Sequence, residues 1–363
     1  MHELVTAIKA ADGETSFKKV LIQVRKEERE KICQTFKTSF PGVYCSWFDP
    51  DKSYVLIGGL GGLGLELSDW MVRRGVRKLV LTSRSGISTG YQTKKVANLR
   101  QLGAEVVILS ISVNTVENAN ILVQSATKLG PIGGFFNLGL VLVDKPFLEH
   151  TVESFTAPLD VKINTTRLLD QISREEPVRS SLDYFVLFSS MVANHGHTGQ
   201  YNYGFGNSVA EHICERRRLD GIPGLVVQWG PVGDVGFVGK MGNNVIIIAK
   251  LPQRLHTVKS TFDYMLSQTT SCIVSSYVPQ DHSTAMDSGE ETLPQKISRV
   301  VGEILGVKDV TNVDGDKEFV ELGLDSLMSV EIKQTLERQV NIVLDTKEIQ
   351  LMTFNSLKSL VEA

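Results

Sequence analysis

The chain has 363 residues, of which 42% are hydrophobic and 22% charged, with a formal net charge of −3 at pH 7. This balance gives no indication of a basic surface for nucleic acid or anionic lipid, and no apolar run approaches the length of a membrane span. The four cysteines lie far apart, which predicts neither a zinc knuckle nor a dithiol motif. We therefore expect a cytoplasmic protein with small-molecule or protein partners.

Apolar β runs alternate with helical patterns from Ser53 to about residue 280. The β runs lie at 54–57, 78–82, 106–109, 134–137, 184–188 and 225–228. Such alternation is typical of βαβ units around a buried parallel sheet, so we predict an α/β domain over residues 53–280 with a Rossmann-like doubly wound sheet. A strand at 18–24 and a charged, irregular connector over 29–52 are predicted before it.

The composition changes after the α/β region. Residues 281–293 are polar and small, as in a flexible linker. Residues 294–363 show helical periodicity only, and one face repeats every four residues at Met328, Ile332, Leu336 and Val340. A small all-α domain of four helices is therefore predicted.

A glycine-rich turn follows the first predicted strand and opens a helix. Its residues are Gly58, Gly59, Leu60, Gly61, Gly62, Leu63 and Gly64, with GxGxxG spacing at the first, third and sixth positions counted from Gly59. Glycines at this spacing permit a tight turn and let the backbone and the helix N-terminus approach a pyrophosphate. A flexible turn is the alternative, but the strand and helix on either side favour a nucleotide site.

The second predicted strand ends at Ser83, Arg84 and Ser85. Chains that bind NAD carry an acidic residue near this position for the ribose hydroxyls, whereas a guanidinium suits a 2′-phosphate. The sequence therefore predicts NADPH rather than NADH. A solvated charge at the strand end is the alternative for Arg84.

A serine, a tyrosine and an asparagine follow at a distinctive spacing. Ser190 closes a strand, Tyr203 lies thirteen residues later, and Asn207 four residues beyond that. With the glycine-rich turn, this pattern resembles the short-chain dehydrogenase/reductase superfamily. Asparagine at the last position, in place of lysine, resembles the ketoreductase domains of fatty acid and polyketide synthases, whose lysine lies upstream; Lys162 matches it.

The resemblance implies a role for each of these residues. Tyr203 would be the acid that protonates the substrate oxygen, Ser190 would donate a hydrogen bond to that oxygen, and Asn207 would orient Lys162, through water. A free phenol titrates near pH ~10, and a nearby ammonium such as Lys162 brings its acidity closer to working pH. Taken singly, each residue has a plain structural explanation; their joint spacing favours a reductase site.

Two further features belong to the same resemblance. Asn137 and Gly139 follow a strand as in the family's cofactor-side turn. Asp144 matches the last aspartate of the Leu-Asp-Asp motif in ketoreductases that give a D-configured 3-hydroxyl, although Val143 replaces the first aspartate.

Two histidines precede the predicted catalytic tyrosine. His195 and His197 could together bind a metal ion, but no third ligand lies near them in the sequence. We predict ordinary loop residues and no metal.

Residues 323–327, Gly-Leu-Asp-Ser-Leu, resemble the phosphopantetheine attachment motif of acyl carrier proteins. Ser326 is then expected to carry 4′-phosphopantetheine, added by a phosphopantetheinyl transferase. The alternative is a helix N-cap at Asp325 or Ser326. Three arginines, Arg216 to Arg218, are a candidate landing site for the acidic carrier, with a solvated basic face as the alternative.

A reductase followed by a carrier (294–363) resembles the C-terminal part of an animal-type fatty acid synthase, with residues 1–28 as a remnant of the preceding enoylreductase. The resemblance implies NADPH-dependent reduction of a 3-oxoacyl thioester to a 3-hydroxyacyl thioester during fatty acid synthesis. It also implies condensing, dehydratase, enoylreductase and thioesterase domains as partners, and a homodimer in the full synthase. The alternatives are a reductive polyketide synthase fragment and a non-catalytic carrier module whose reductase fold only scaffolds.

Overall fold

The structure is a computed structural model that describes residues 45–235, 250–268, 271–279, 292–307 and 309–362. The predicted strand at 18–24 and the predicted enoylreductase remnant at 1–28 lie outside the described residues. The predicted linker also lies outside them, apart from its last two residues.

The α/β prediction is confirmed by a sheet of seven parallel strands in the described residues. These strands are β1 (Ser53–Ile57), β2 (Lys78–Thr82), β3 (Glu105–Leu109), β4 (Ile132–Asn137), β5 (Tyr184–Ser190), β6 (Leu225–Trp229) and β8 (Ile273–Ser276). Their order is β3-β2-β1-β4-β5-β6-β8. The order reverses between β1 and β4, which is the switch point where doubly wound sheets bind ligands.

A short antiparallel pair joins β7 (Lys250–Leu251) to β9 (Val278–Pro279). The helices of the α/β domain are α1 (Gly62–Arg73), α2 (Gly90–Gln101), α3 (Val116–Leu129), α4 (Val152–Leu159), α5 (Thr165–Ser173), α6 (Val178–Ser181), α7 (Val192–His195), α8 (Tyr201–Leu219) and α9 (Leu255–Leu266). None of the described helices has the length and apolar content needed to cross a bilayer.

The core lies on both faces of the sheet. Tyr54 and Leu56 of β1 point into one apolar cluster, and Val55 and Ile57 point into the other. Helices therefore cover both faces, and this explains why the strands read as continuous apolar runs rather than as alternating ones.

The end of the predicted connector belongs to this core. Phe48 is fully buried, and its ring contacts those of Tyr54, Trp70, Phe136 and Tyr184. Its amide donates a 2.8 Å hydrogen bond to the carbonyl of Arg74 in the turn after α1. The α/β domain therefore begins before residue 53, because an aromatic side chain that makes these contacts is part of the packing.

Four helices build the C-terminal domain in the described residues, as predicted. They are α10 (Leu293–Ile304), α11 (Ser326–Val340), α12 (Thr346–Gln350) and α13 (Phe354–Glu362). The buried core of this domain contains Ile332 and Leu336 of the predicted four-residue repeat, and Met328 and Val340 pack against it half-buried.

Candidate functional site

The glycine-rich turn joins β1 to α1 and requires glycine at Gly58, Gly59 and Gly64. Gly58 has a φ of +73°, in the left-handed region that favours glycine. A Cβ on Gly64 would lie 2.7 Å from the Cα of Gly59, and a Cβ on Gly59 would lie 2.9 Å from the carbonyl of Leu56. The N-cap of α1, Gly61, makes no side-chain cap, and its first turn holds no acidic residue. Its free amides are therefore suited to an anion.

A cavity of ≈ 1930 Å³ opens at this turn and continues along the carboxyl ends of the strands. Most predicted cofactor residues line it: Gly58, Leu60, Gly61, Gly62, Leu63, Gly64, Ser83, Arg84, Ser85 and Gly139. The cavity exceeds the usual 300–1,000 Å³ of a small-molecule pocket, as a site for a dinucleotide together with a second ligand would. The residues therefore fit a dinucleotide.

Arg84 stands at the edge of this cavity as an exposed side chain. Among the described residues it makes no ion pair or hydrogen bond, so its guanidinium is free to bind a ligand. Gly59 and Asn137, two other predicted cofactor residues, do not line the cavity.

Asn137 instead supports the turn after β4 from behind. Its Oδ1 accepts a 3.0 Å hydrogen bond from the amide of Gly139, and its Nδ2 donates to Thr166 at 3.1 Å. A Cβ on Gly139 would lie 2.6 Å from a methyl of Val161. Asn137 is thus a buried residue that shapes the cofactor-side loop.

The four predicted catalytic residues come together at the same edge of the sheet. Tyr203 and Asn207 lie on α8, and Ser190 lies at the end of β5. Lys162 occupies the centre of a π-helical turn, Asp160–Asn164, between α4 and α5. Its Nζ lies 6.0 Å from the centroid of the Tyr203 ring and donates a 2.5 Å hydrogen bond to the carbonyl of Phe188.

Burial sets the electrostatics of this group. Tyr203 is 9% exposed, and desolvation raises its pKa, whereas hydrogen bonds with the side chains of Asn207 and Ser190 oppose that shift. Desolvation lowers the pKa of Lys162 to about 7, and the negative charge of Glu211 opposes that shift. The site therefore holds a phenol that stays protonated at neutral pH beside a lysine whose pKa lies near neutral pH.

Asn207 is fully buried and has one unused acceptor. Its Nδ2 donates to the backbone carbonyl of Tyr203 at 2.9 Å, and its Oδ1 has no hydrogen-bond partner among the described residues. A buried acceptor without a partner costs free energy, so it is suited to a water or a cation donor. The predicted role of Asn207 toward Lys162 remains a prediction.

Sequence reasoning missed Asn202, the residue before Tyr203. Pro158 lacks an amide hydrogen, so it leaves the carbonyl of Ser154 in α4 without its helical donor. The side chain of Asn202 donates to that carbonyl at 3.1 Å and accepts from the amide of Tyr203 at 2.7 Å. The sequence signal for this tie between α4 and the start of α8 is Pro158 in the second half of α4.

Ser326 is the first residue of α11 in the C-terminal domain, and its side chain is exposed. Asp325 is the N-cap, because its carboxylate accepts a 2.7 Å hydrogen bond from the amide of Met328. The hydroxyl of Ser326 is therefore not needed as a cap. Leu327 contacts Gly199 in the loop before α8, which places this first turn beside the cavity.

Comparison with known proteins decides what the two domains are. The KR domain family matches residues 52–234, about half of the chain. The chain belongs to the KR domain family. A second family, the phosphopantetheine attachment site, matches residues 295–363. The chain thus combines a ketoreductase domain with a carrier domain.

Similar proteins and structures agree with this assignment. A highly reducing polyketide synthase of Nectria sp is 35% identical over 193 residues, which are 53% of this chain and 8% of that protein. A highly reducing polyketide synthase of Alternaria alternata is 24% identical over 350 residues, which are 81% of this chain and 14% of that protein. The structure of an A1-type ketoreductase has a TM-score of 0.59 at 25% identity and covers 67% of this chain and 51% of that chain.

The chain thus spans a small part of the curated relatives that it matches. These relatives are polyketide synthases, so what they share with this chain is a ketoreductase and carrier of the polyketide or fatty acid synthase type.

One predicted feature of the ketoreductase surface is wrong. Arg217 is fully buried, pairs with Asp170 at 2.7 Å and stacks 3.8 Å from the ring centroid of Phe185. Since α8 packs that side against α5 and β5, Arg217 cannot belong to a landing surface for the carrier. Arg216 is exposed and pairs with Asp220 at 3.2 Å.

The two histidines make ordinary contacts, but the loop prediction is wrong for His195, which is the last residue of α7. His197 Nδ1 lies 3.0 Å from the carbonyl of Thr198, and the ring of His195 lies 6.4 Å from that of Tyr277. In the part of the chain that the structure describes, no group of three or more His, Cys, Asp or Glu side chains is placed to hold a metal ion.

Proposed function

We propose that this chain reduces a 3-oxoacyl thioester to the 3-hydroxyacyl thioester with NADPH, while the substrate is held on the phosphopantetheine of its own carrier domain. The observation that carries the proposal is the convergence of Tyr203, Ser190 and Lys162 on a cavity that begins at the glycine-rich turn, with Asn207 buried next to Tyr203.

The chemistry follows from the charge that reduction creates. Bound NADPH supplies the hydride to the ketone carbon, so negative charge develops on the substrate oxygen. Tyr203 transfers its proton to that oxygen, and Ser190 donates a hydrogen bond to it. The Lys162 ammonium, 6.0 Å from the ring, stabilises the phenolate that remains. The unused acceptor of Asn207 is suited to hold Lys162 in place through water.

The motif position of Asp144 supports a D-configured 3-hydroxyl. Its Oδ2 accepts a 2.8 Å hydrogen bond from Gln200, the N-cap of α8. Asp144 therefore lines the cavity in a fixed position, where it can act on the orientation of the substrate.

The carrier proposal assigns Ser326 as the attachment point of 4′-phosphopantetheine. Its exposed hydroxyl is accessible to a phosphopantetheinyl transferase, and the adjacent Leu327 lies against Gly199. An attached arm supplies the thiol that carries the acyl group, and it would start beside the ketoreductase cavity. Condensing, dehydratase, enoylreductase and thioesterase domains are the proposed partners, within a homodimeric synthase.

The product could belong to either of two pathways. The order of reductase and carrier supports fatty acid synthesis of the animal type. Polyketide synthesis is the second candidate, because the relatives that are 34–36% identical are polyketide synthases and hybrid synthetases. Chain-length and branching preferences, measured with a panel of 3-oxoacyl thioesters, distinguish the two.

The direct test uses the full chain. A phosphopantetheinyl transferase loads the chain from 3-oxoacyl-CoA, which places the 3-oxoacyl phosphopantetheine on Ser326. We expect the amount of NADPH oxidised to equal the amount of 3-hydroxyacyl group on Ser326, measured by mass spectrometry. Ser326→Ala should not be loaded, yet should still reduce a free 3-oxoacyl pantetheine thioester. NADPH binding without any turnover would instead support the scaffold alternative, and loading of Ser326→Ala would refute the assignment of the attachment residue.

Cofactor choice provides a separate prediction. Arg84→Ala should raise the KM for NADPH by about 10–100-fold, the worth of a charged hydrogen bond, with little change in kcat. The KM for NADH should stay the same because NADH has no 2′-phosphate. Steady-state kinetics with both cofactors check this, and an equal loss with NADPH and NADH would contradict it.

A further inference from the structure

A buried carboxylate lies behind the catalytic group and takes no part in the steps described above. Glu211 is 7% exposed and lies on α8, four residues after Asn207 and eight after Tyr203. This spacing puts the three side chains on one buried face of the helix. One helix face therefore presents the acid, its amide neighbour and a carboxylate in sequence.

Glu211 is held by donors from two strands. The hydroxyl of Ser189, next to the catalytic Ser190 on β5, donates to it. The Nε2 of Gln228 on β6 lies 3.1 Å from both carboxylate oxygens, and Ser275 of β8 orients Gln228 through a 2.8 Å hydrogen bond. Both oxygens accept hydrogen bonds, which is the pattern of an ionised carboxylate.

No ion pair among the described residues includes Glu211. Its negative charge instead acts on Lys162, where it raises the pKa. Lys162 is 2% exposed, and its Nζ donates a hydrogen bond to the carbonyl of Phe188, the residue before Ser189. The Lys162 ammonium and the Glu211 carboxylate thus bind two adjacent residues of β5, Phe188 and Ser189. In a buried, low-dielectric site such a pair interacts more strongly than at the surface.

We propose that Glu211 is a positioning residue of the ketoreductase, a buried carboxylate that holds α8 against β5 and β6 and supplies the negative charge that keeps Lys162 an ammonium ion. The inference rests on the proposed reductase function. Burial alone would favour neutral Lys162, so the ammonium that stabilises the Tyr203 phenolate depends on this charge.

Few other groups act on this pair. Asp144 and the Tyr203 phenol face the substrate side, where the Asp144 charge raises the pKa of Tyr203. Cys214 of α8 and Cys272 before β8 lie on the Glu211 side; burial raises the pKa of both thiols, that of Cys272 to about 11, so both stay neutral near pH 7.

The test is the pH dependence of kcat/KM for a free 3-oxoacyl pantetheine thioester. Glu211→Gln removes the charge and keeps the volume, so Lys162 loses its proton at lower pH. We expect the pH at which kcat/KM falls on the alkaline limb of the profile to decrease by roughly one unit. At lower pH, before that fall, kcat/KM should stay within a few-fold of wild type. The Cε resonance of Lys162, followed by NMR in ¹³C-lysine-labelled chain, should titrate at correspondingly lower pH.

Four further variants separate charge from packing. Ser189→Ala removes a hydrogen bond but not the charge, and should leave the limb in place. Glu215→Gln, four residues further along α8 on an exposed side chain paired with His212, should behave as wild type. Glu211→Met also removes the charge and serves if the glutamine variant does not fold. Glu211→Asp keeps the charge, so its limb should stay close to that of the wild type.

The possible results are distinct. The proposal is overturned if neither the alkaline limb of kcat/KM nor the Lys162 titration moves in Glu211→Gln or Glu211→Met, even if the rate falls at every pH. A wild-type chain without turnover overturns the reductase function instead, and the NMR titration then still decides whether Glu211 keeps Lys162 charged.

Discussion

Tyr203→Phe is expected to lower kcat for the 3-oxoacyl thioester by about 10²–10⁴-fold, the usual contribution of a general acid. The substitution removes only the hydroxyl group, and the ring keeps its buried position on α8. NADPH affinity should not change, because the glycine-rich turn and Arg84 lie on other elements. Stopped-flow kinetics of NADPH oxidation give the rate, and fluorescence titration gives the affinity.

The matched control is Tyr201→Phe, two residues earlier on the same helix. Tyr201 is 39% exposed, and its ring packs edge-on against that of Phe147. We expect its kcat to remain within about tenfold of wild type, since a solvated phenol lacks the ammonium neighbour that activates an acid. If Tyr201→Phe were the inactive variant, the acid would be misassigned.

The sequence could predict that these residues lie close together because spacing determines where strand ends and helix starts meet. Ser190 lies on β5, and Tyr203 and Asn207 lie on α8, with only the one-turn helix α7 and a short loop between the two elements, so their separation along the chain fixes their separation in space. The glycine-rich turn is equally local, since the close approach of Gly64 to Gly59 forbids a side chain at either residue. Patterns of this kind depend on nearby residues only, and the structure reproduced them.

What the sequence did not predict depends on distant contacts. Phe48 was assigned to a connector because its neighbours are polar, yet its ring packs on strands that come later in the chain. Arg217 was placed on a surface because it stands in an arginine run, whereas Asp170 and Phe185 bury it. β8 was missed because Ile273–Ser276 is short and half serine.

Lys162 was the one predicted catalytic residue that spacing alone could not place. It lies far upstream of Tyr203, and its π-helical turn has no clear sequence signature. Such turns are frequent at functional sites, because the widened turn redirects a side chain that a regular helix would aim elsewhere. Only the resemblance to ketoreductases pointed to this lysine, and the structure places it beside the tyrosine ring.

Lys162→Met is expected to separate activity from stability. The rate should fall by about 10²–10³-fold, as when one group that stabilises developing negative charge is removed. The same change should stabilise the domain by about 1–4 kcal/mol near neutral pH, because an apolar side chain replaces a buried cation. Lys128→Met, an exposed lysine at the end of α3, is the control and should change neither quantity.

The pH dependence of that stabilisation follows from the lowered pKa of Lys162. Burial lowers this pKa to about 7 from an unfolded value of 10.5, so between these pH values the unfolded chain binds more protons. Wild-type stability therefore rises with pH across this window, and the destabilising effect is complete below pH 7. The advantage of Lys162→Met, measured by urea unfolding of the ketoreductase domain, should be largest below pH 7 and shrink toward pH 10. A variant less stable than wild type throughout would mean that the Phe188 hydrogen bond and the Glu211 attraction outweigh the desolvation of the ammonium.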